Sequence, residues 1–372
     1  MPVSSFNFYR AYSVARKEVM HVLRDPFTLV LALGLPVMLV TFFGYAIDYE
    51  VKNITLAVSD RDGGPAARRL KELFSSSGYF RLVETGPGGP VGMLDSGRAA
   101  AALFIKPDFS KTIQGGGAVE TQFVLDGSDN AKAGAVIGYL PGIQRAGQAR
   151  LAGREIREPF SFETRFLYNP ELNSRWFTVP GLAAVIIGLL AILLTALTVA
   201  REWENGSMEL LLSTPVRPLE IMAGKLAPYG VLVLAGVFFV YLVSRLVFGV
   251  PFAGSHFLYL AACLLYVTAS LSQGLFISVV TRQQQVAMQL GIISGLLPSL
   301  LLSGFIFPVE SMPPFFRYFT MLLPPRWFMA AARGTTLKGA DLGELAVPFL
   351  ALGLLSAGML LLALKKFKTD LE

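Results

Sequence analysis

Residues 176–200 read W-F-T-V-P-G-L-A-A-V-I-I-G-L-L-A-I-L-L-T-A-L-T-V-A, and no residue among them is charged. About 20 apolar residues at 1.5 Å rise cross the roughly 30 Å hydrocarbon core of a bilayer. This stretch is longer than that. Five more runs share its character, at 26–47, 226–248, 257–280, 286–308 and 345–364, with Arg245 near the end of 226–248 their lone charge. A buried core helix is the competing reading of any one run, but not of six. The fold class is therefore an α-helical polytopic membrane protein with six transmembrane helices. The fifth run is the least regular, being interrupted by Gly291, Gly295, Pro298 and Gly304. Membrane helices tolerate such residues where neighbours satisfy the freed backbone groups. The first run is too long for a signal-peptide core and follows a charged segment, so it reads as an uncleaved anchor.

The composition agrees. Of 372 residues, 53% are apolar and 16% charged, where soluble domains hold about a quarter charged. Mean hydropathy is +0.55. One cysteine, Cys263, excludes a disulfide framework, and two distant histidines, His21 and His256, exclude a multi-His metal centre. No metal site or catalytic residue is expected. The net charge of +6 fits either nucleic acid or a membrane surface. Its placement selects the membrane and no nucleic-acid partner. Arg10, Arg16, Lys17 and Arg24 precede the first span, and Lys365, Lys366 and Lys368 follow the last. Basic flanks lie inside, and an even span count puts both termini on the cytoplasmic side, with a tail at 365–372. Arg201, Arg217 and Lys225, then Arg282, mark two further inner loops. Arg317, Arg326, Arg333 and Lys338 fall on the outer side and run against the rule.

Residues 48–175 are more polar, nearly neutral and rich in glycine. They read as an extracytoplasmic α/β domain inserted between the first two spans. Strands are expected at 54–58, 80–83, 100–105, 119–125 and 162–167, with helices at 65–76 and 131–156. The glycine clusters at 86–92 and 115–117 read as loops.

Three segments carry mechanism. Within 1–25, Phe8, Tyr12, Ala15, Val19 and Val22 recur at helical spacing, while Arg10, Lys17, His21 and Arg24 fall on another face. That is an amphipathic interface helix suited to the inner headgroup layer. The loop 201–225 opens R-E-W-E-N-G-S-M-E-L-L-L-S-T-P. Ser207 is the expected N-cap, Glu209 sits in the first turn where the helix dipole favours an acid, Pro215 ends the helix and Pro218 opens the next. A capped, apolar-faced helix in an inner loop is built for docking. Residues 309–344 are too apolar for a plain loop and too broken by proline for a span. They are expected to form short re-entrant helices in the outer leaflet, with Arg326 and Trp327 at the interface. No P-loop, zinc-protease or nucleophile-elbow motif is present in the sequence.

These residues resemble the ABC-2 type transmembrane subunits of ATP-binding-cassette exporters. The resemblance rests on 201–225, on R-Q-Q-Q-V-A-M-Q at 282–289 and on L-S-G-F-I-F-P at 302–308. The span order with a large outer domain after the first span is similar to the multidrug-type branch of Gram-negative bacteria, located in the inner membrane. The resemblance implies a dimer of identical or paralogous permeases driven by separate ATPase subunits. Those subunits hold ATP and Mg, so this chain needs no cofactor. It assigns ATPase coupling to Arg201, Glu202, Glu204, Gly206, Glu209, Leu210, Leu211, Leu212 and Pro215. Glu202 and Glu204 are expected to pair with ATPase cations and the three leucines to fill an apolar groove. The N-terminal helix is a second contact. Leu190, Leu194, Pro298, Gly304, Phe305 and Phe307 would line the path between two permeases. A periplasmic membrane-fusion adaptor and membrane lipids are further partners. The cargo class is amphiphilic: drug-like, lipid or glycan. The alternative is a membrane-anchored assembly or sensor protein whose outer domain binds a ligand without transport.

Overall fold

A computed structural model describes residues 6–47, 53–85, 89–127, 130–152, 168–169 and 173–369. The chain divides into two compact units, Met1–Asp48 with Phe166–Glu372, and Tyr49–Arg165.

The first unit opens with α1 (Phe8–Arg24), started by Asn7, whose side chain accepts the Tyr9 amide. Its buried stripe is Ala11, Val14, Glu18 and Val22. Phe8, Tyr12 and Val19 are exposed. Asp25 caps α2 (Pro26–Leu29). The chain then passes through a π-turn at Val30–Gly34 into α3 (Leu35–Ala46).

The second unit is an α/β sheet structure. It comprises β1 (Ile54–Asp60), α4 (Pro65–Ser76), β2 (Phe80–Glu84), α5 (Gly89–Asp95), β3 (Ala101–Ile105), α6 (Phe109–Gln114), β4 (Gln122–Leu125) and α7 (Asn130–Ala152). The strand order is β2-β1-β3-β4. β1 runs parallel to β2 and β3, and β4 pairs antiparallel with β3. Leu56, Leu103, Ile105, Phe74 and Phe80 fill its core, with Phe74 edge-on to Phe80 at 5.2 Å. The glycine cluster at 86–92 is not all loop: α5 begins at Gly89 because Met93 buries against Ala57 and Ala99. The strand expected at 162–167 and the end of the helix expected to reach 156 lie outside the described residues.

The first unit resumes with α8 (Ser174–Glu204), α9 (Ser207–Leu212), α10 (Pro218–Leu246), α11 (His256–Thr281), α12 (Gln284–Leu301), α13 (Pro314–Phe319), α14 (Pro324–Arg333) and α15 (Ala346–Thr369). Helix α8 is the axis, packed by α3, α10, α11, α12 and α14. Polar side chains stitch it to α11. Thr195 Oγ1 donates to the Leu271 carbonyl at 2.8 Å, and Ser278 Oγ accepts the Val199 and Ala200 amides at 3.0 and 2.9 Å. Against α12 the contact is made by small residues, since Ala287, Gly291, Gly295 and Ser299 are its buried positions. Both devices suit helices packing where lipid offers no hydrophobic drive.

Among the described residues, five helical stretches are long and apolar enough to cross a membrane: Pro26–Ala46, Ser174–Glu204, Pro218–Leu246, His256–Thr281 and Ala346–Phe367. The run expected at 286–308 is different. Helix α12 has 18 residues, begins with Gln284 and Gln285, and stops at Leu301. The chain then turns through Gly304 at φ +84°, so Gly304, Phe305 and Phe307 lie beyond the helix. The loop expected at 201–225 is also shorter, because α8 continues to Glu204 and α10 starts at Pro218. Charges let both helices extend, because each finds a partner inside the bundle. The last helix likewise runs past 364 to Thr369.

Two of the cations expected on the outer side have a structural use. Arg333 donates to the Gly304 carbonyl at 2.9 Å and stacks 4.0 Å over Phe177. Arg326 donates to the Arg317 carbonyl at 2.7 Å, and Trp327 Nε1 donates to the Met321 carbonyl at 2.9 Å.

Candidate functional site

The ends of α8 and α10 that face α1 hold a buried charge network. Glu18 reaches inward from α1, Glu202 from the last turn of α8 and Lys225 from the second turn of α10. Lys225 is 1% exposed. Its Nζ lies 2.7 Å from Glu18 Oε1 and 3.0 Å from Glu202 Oε2. The first contact is an aligned hydrogen bond, the second a charge contact without hydrogen-bond alignment. Lys17 Nζ approaches Glu202 Oε1 at 2.5 Å from the solvent side, and Tyr229 donates to Glu18 Oε2 at 3.2 Å. Charges this deep require close partners, because desolvating an unpaired one costs several kcal/mol.

Backbone geometry brings α1 this close. A Cβ on Gly224 would stand 2.6 Å from Val14 Cβ and 2.8 Å from the Ala11 carbonyl, so only glycine allows the approach. A third buried carboxylate, Glu220, accepts the Asn7 amide at 2.8 Å and the Arg217 amide at 3.0 Å. It ties the start of α1 to the start of α10. Arg10 donates to the Pro215 carbonyl, fixing the loop between α9 and α10. At the junction of α1 and α2, the Thr28 hydroxyl and the Thr28 and Phe27 amides hold the Asp25 carboxyl below its ordinary range.

Helix α9 is pinned from one side and free on the other. Gly206, at φ +69°, reverses the chain after α8. It is therefore the N-cap position, and Ser207 is the first helical residue, its hydroxyl donating to the Glu202 carbonyl. Met208 is buried with Ile221, Met222, Leu275 and Phe367, and Leu211 packs at the edge of that cluster. Leu210 points away and is 72% exposed. A third clamp joins the start of α12: Glu204 accepts the Gln284 amide at 2.8 Å as well as its side-chain amide. Arg282 stacks 4.6 Å over Trp203.

Several expectations change on this geometry. Glu202 and Glu204 are engaged within the chain, Glu202 by two lysines and Glu204 by Gln284. They are not held out for a partner's cations. Leu211 is half-buried and Leu210 points outward, the Leu212 side chain lies outside the described residues, and Glu209 is in the first turn of α9. Arg10, Lys17 and His21 turn toward the α8–α10 end of the bundle, and His21 Nε2 lies 2.6 Å from an Arg201 guanidinium nitrogen; Arg24 is exposed in the last turn. The proposed path residues do not share a surface. Leu190, Leu194 and Phe305 are buried in this chain's own core, because α8 is wrapped on nearly every side. Pro298 and Gly304 are half-buried, and Phe307 is exposed.

Glu18, Glu220, Met208 and Tyr229 were not singled out from the sequence, and Lys225 was read only as a loop charge. One signal was available. Glu18 stands four residues from both Val14 and Val22, an acid on the buried stripe of an amphipathic helix. Such a residue demands an internal cation.

Membrane-length helices around a central axis, with a short loop helix between two of them, define a polytopic membrane protein. The chain belongs to the ABC-2 family of transporter proteins, whose profile matches residues 26–365. It is 32% identical over 343 residues to the probable multidrug ABC transporter permease YbhS of Escherichia coli, covering 91% of this chain and 90% of that protein. It is 31% identical to the probable multidrug ABC transporter permease YbhR of the same organism, covering 90% and 92%. The inner membrane transport permease YhhJ of E. coli is 31% identical over 84% of each chain.

Proposed function

We propose that this chain is the permease subunit of an inner-membrane ABC exporter that moves an amphiphilic cargo, drug-like, lipid or glycan, outward. Two permeases pair, and ATP is hydrolysed on separate subunits docked beneath α9. The observation that carries the reading is Leu210: it is exposed on a helix whose opposite side is fixed by Met208 and whose root is tied to α1, α10 and α12. A push on α9 is therefore a push on four helices. A conformational change needs a partner that binds two states differently, and this rigid lever supplies the contact.

In this reading α12, completed by residues 302–308, is the fifth of six spans, and both termini are cytoplasmic. The unit Tyr49–Arg165 lies outside, where an adaptor of the membrane-fusion type can meet it, and residues 309–344 rest in the outer leaflet. The cleft between permeases falls on the outward face of α12, at Met288, Ile292, Ile293 and Leu297, all exposed in the single chain. The names of the E. coli relatives support a multidrug-type cargo.

The test is co-purification of an ATPase from native membranes with wild type and Leu210→Asp. The expected result is a tenfold or greater loss of ATPase with unchanged permease yield and melting. Full ATPase recovery by the variant would remove α9 from the docking role. Absence of any ATPase with wild type would instead support an anchored sensor or assembly protein.

A further inference from the structure

Beside the charge network, between α1 and the end of α8, lies a crevice of about 230 Å³. Its rim carries Lys17, His21, Arg201, Asn205 and Ser207, and its wall turns apolar at Leu194 and Leu197. Arg201 is the first charge after the apolar run of α8. In a bilayer that position is the level where acyl chains end and headgroups begin.

The electrostatics are unbalanced. Glu18 and Glu202 are already neutralised by Lys225 and Lys17. Asp25 is engaged in capping α2. Among the described residues Arg201 has no carboxylate at ion-pair distance, Asp25 acting on it only from farther off, and the group its guanidinium meets is His21, 2.6 Å away. A guanidinium has donors only, so at this contact the imidazole nitrogen is the acceptor, and the pair sets a cation and an imidazole side by side for an anion to bridge. The titratable groups that line the crevice with His21 are Lys17 and Glu18 on α1, Arg201 and Glu202 on α8, and Tyr229 on α10.

We propose that this crevice binds a phosphate ester, the headgroup of an anionic inner-leaflet lipid, with Arg201 and His21 as its ligands. The assignment rests on the permease reading only for which leaflet the crevice faces. Its volume suits a phosphate and its glyceryl ester but is below the roughly 300 Å³ of drug-sized sites. Charge-assisted hydrogen bonds are the strong ones, and two converge here. The apolar wall at Leu194 and Leu197 offers a surface for acyl chains. Lipid bound here tethers α1 to α8 at the root of the α9 lever.

The experiment uses the full-length permease in neutral detergent, without ATPase, so failure of the coupling reading cannot affect it. Melting is followed while short-chain phosphatidylglycerol, short-chain phosphatidylcholine, glycerol phosphate or inorganic phosphate is titrated. Phosphatidylglycerol should stabilise saturably, and phosphatidylcholine should not. Glycerol phosphate or inorganic phosphate should bind at least tenfold more weakly if the occupant is lipid. Equal binding by free phosphate would identify a soluble phosphate site and overturn the lipid assignment. His21→Gln, at an exposed position, should fold normally and weaken binding severalfold, and Arg201→Gln should lose binding tenfold or more. A phosphatidylglycerol effect that is unchanged in His21→Gln and Arg201→Gln, or equal for phosphatidylcholine, overturns the site.

Discussion

Replacing Lys225 by methionine tests the charge network most directly. The substitution keeps the length and apolar stem of the side chain and removes only the charge. Lys225 is 1% exposed and is the cation on Glu18, at 2.7 Å, and one of two on Glu202. After the change Glu202 keeps Lys17, but Glu18 keeps only the Tyr229 hydroxyl at 3.2 Å. Removing one partner of a buried pair costs about 3–5 kcal/mol. Lys17, by contrast, is 55% exposed at its side chain. Its pairing is screened by water, so Lys17→Met should cost no more than about 1 kcal/mol. Because a buried pair is itself worth little against an apolar replacement, adding Glu18→Leu to Lys225→Met should restore at least half the loss. Thermal unfolding of detergent-purified protein reads all three, with Lys225→Met falling on the order of 10 °C. Equal melting of Lys225→Met and Lys17→Met would refute the network as described. So would a further fall in the double variant.

Other outcomes follow from the same geometry. Gly224→Val should force α1 off α10, seen as rapid proteolysis of residues before the first span while the spans stay resistant; an unchanged digestion pattern would contradict the close approach. Met208→Ala should lower the melting temperature through about 2–5 kcal/mol of lost packing, whereas Leu210→Asp should leave it unchanged. Glu204→Ala should loosen the start of α12, raising hydrogen exchange at Gln284, with no loss of ATPase binding. In a Cys263→Ala background, Gln114→Cys should react with an impermeant thiol reagent in intact spheroplasts and Ser213→Cys only after lysis. The reverse labelling would invert the orientation.

The spans were legible because an uninterrupted apolar run has few explanations. The strands of the second unit were legible for a similar reason, since Ile54, Phe80 and Ala101 start short apolar segments bounded by turn residues. What escaped reading was partnership. Lys225 looked like a loop cation and Glu202 like a docking acid, because a sequence does not show that residues 18, 202 and 225 converge. Helix ends misled likewise: apolarity stops at Ala200, but the helix continues while Glu202 has lysines to meet. The path residues failed for a geometric reason. A helix apolar all round, such as α8, gives no sign of which face is central, and here nearly every face is. For α12 the sign was present, because Ala287, Gly291, Gly295 and Ser299 recur every four residues and mark the side that touches α8.

The network also orders the making of the protein. Glu18 and Lys225 are separated by 207 positions, so the ribosome finishes two spans and the intervening domain before the counter-ion of Glu18 exists. Until then α1 carries an acid on its apolar stripe and cannot seat. Its amphipathic surface must wait at the membrane with Phe8, Tyr12 and Leu23 as its hold. Arrival of Lys225 then closes three segments at once. A chain interrupted before that residue is left with a loose amino-terminal helix, a mark by which a quality-control protease could tell unfinished permease from finished.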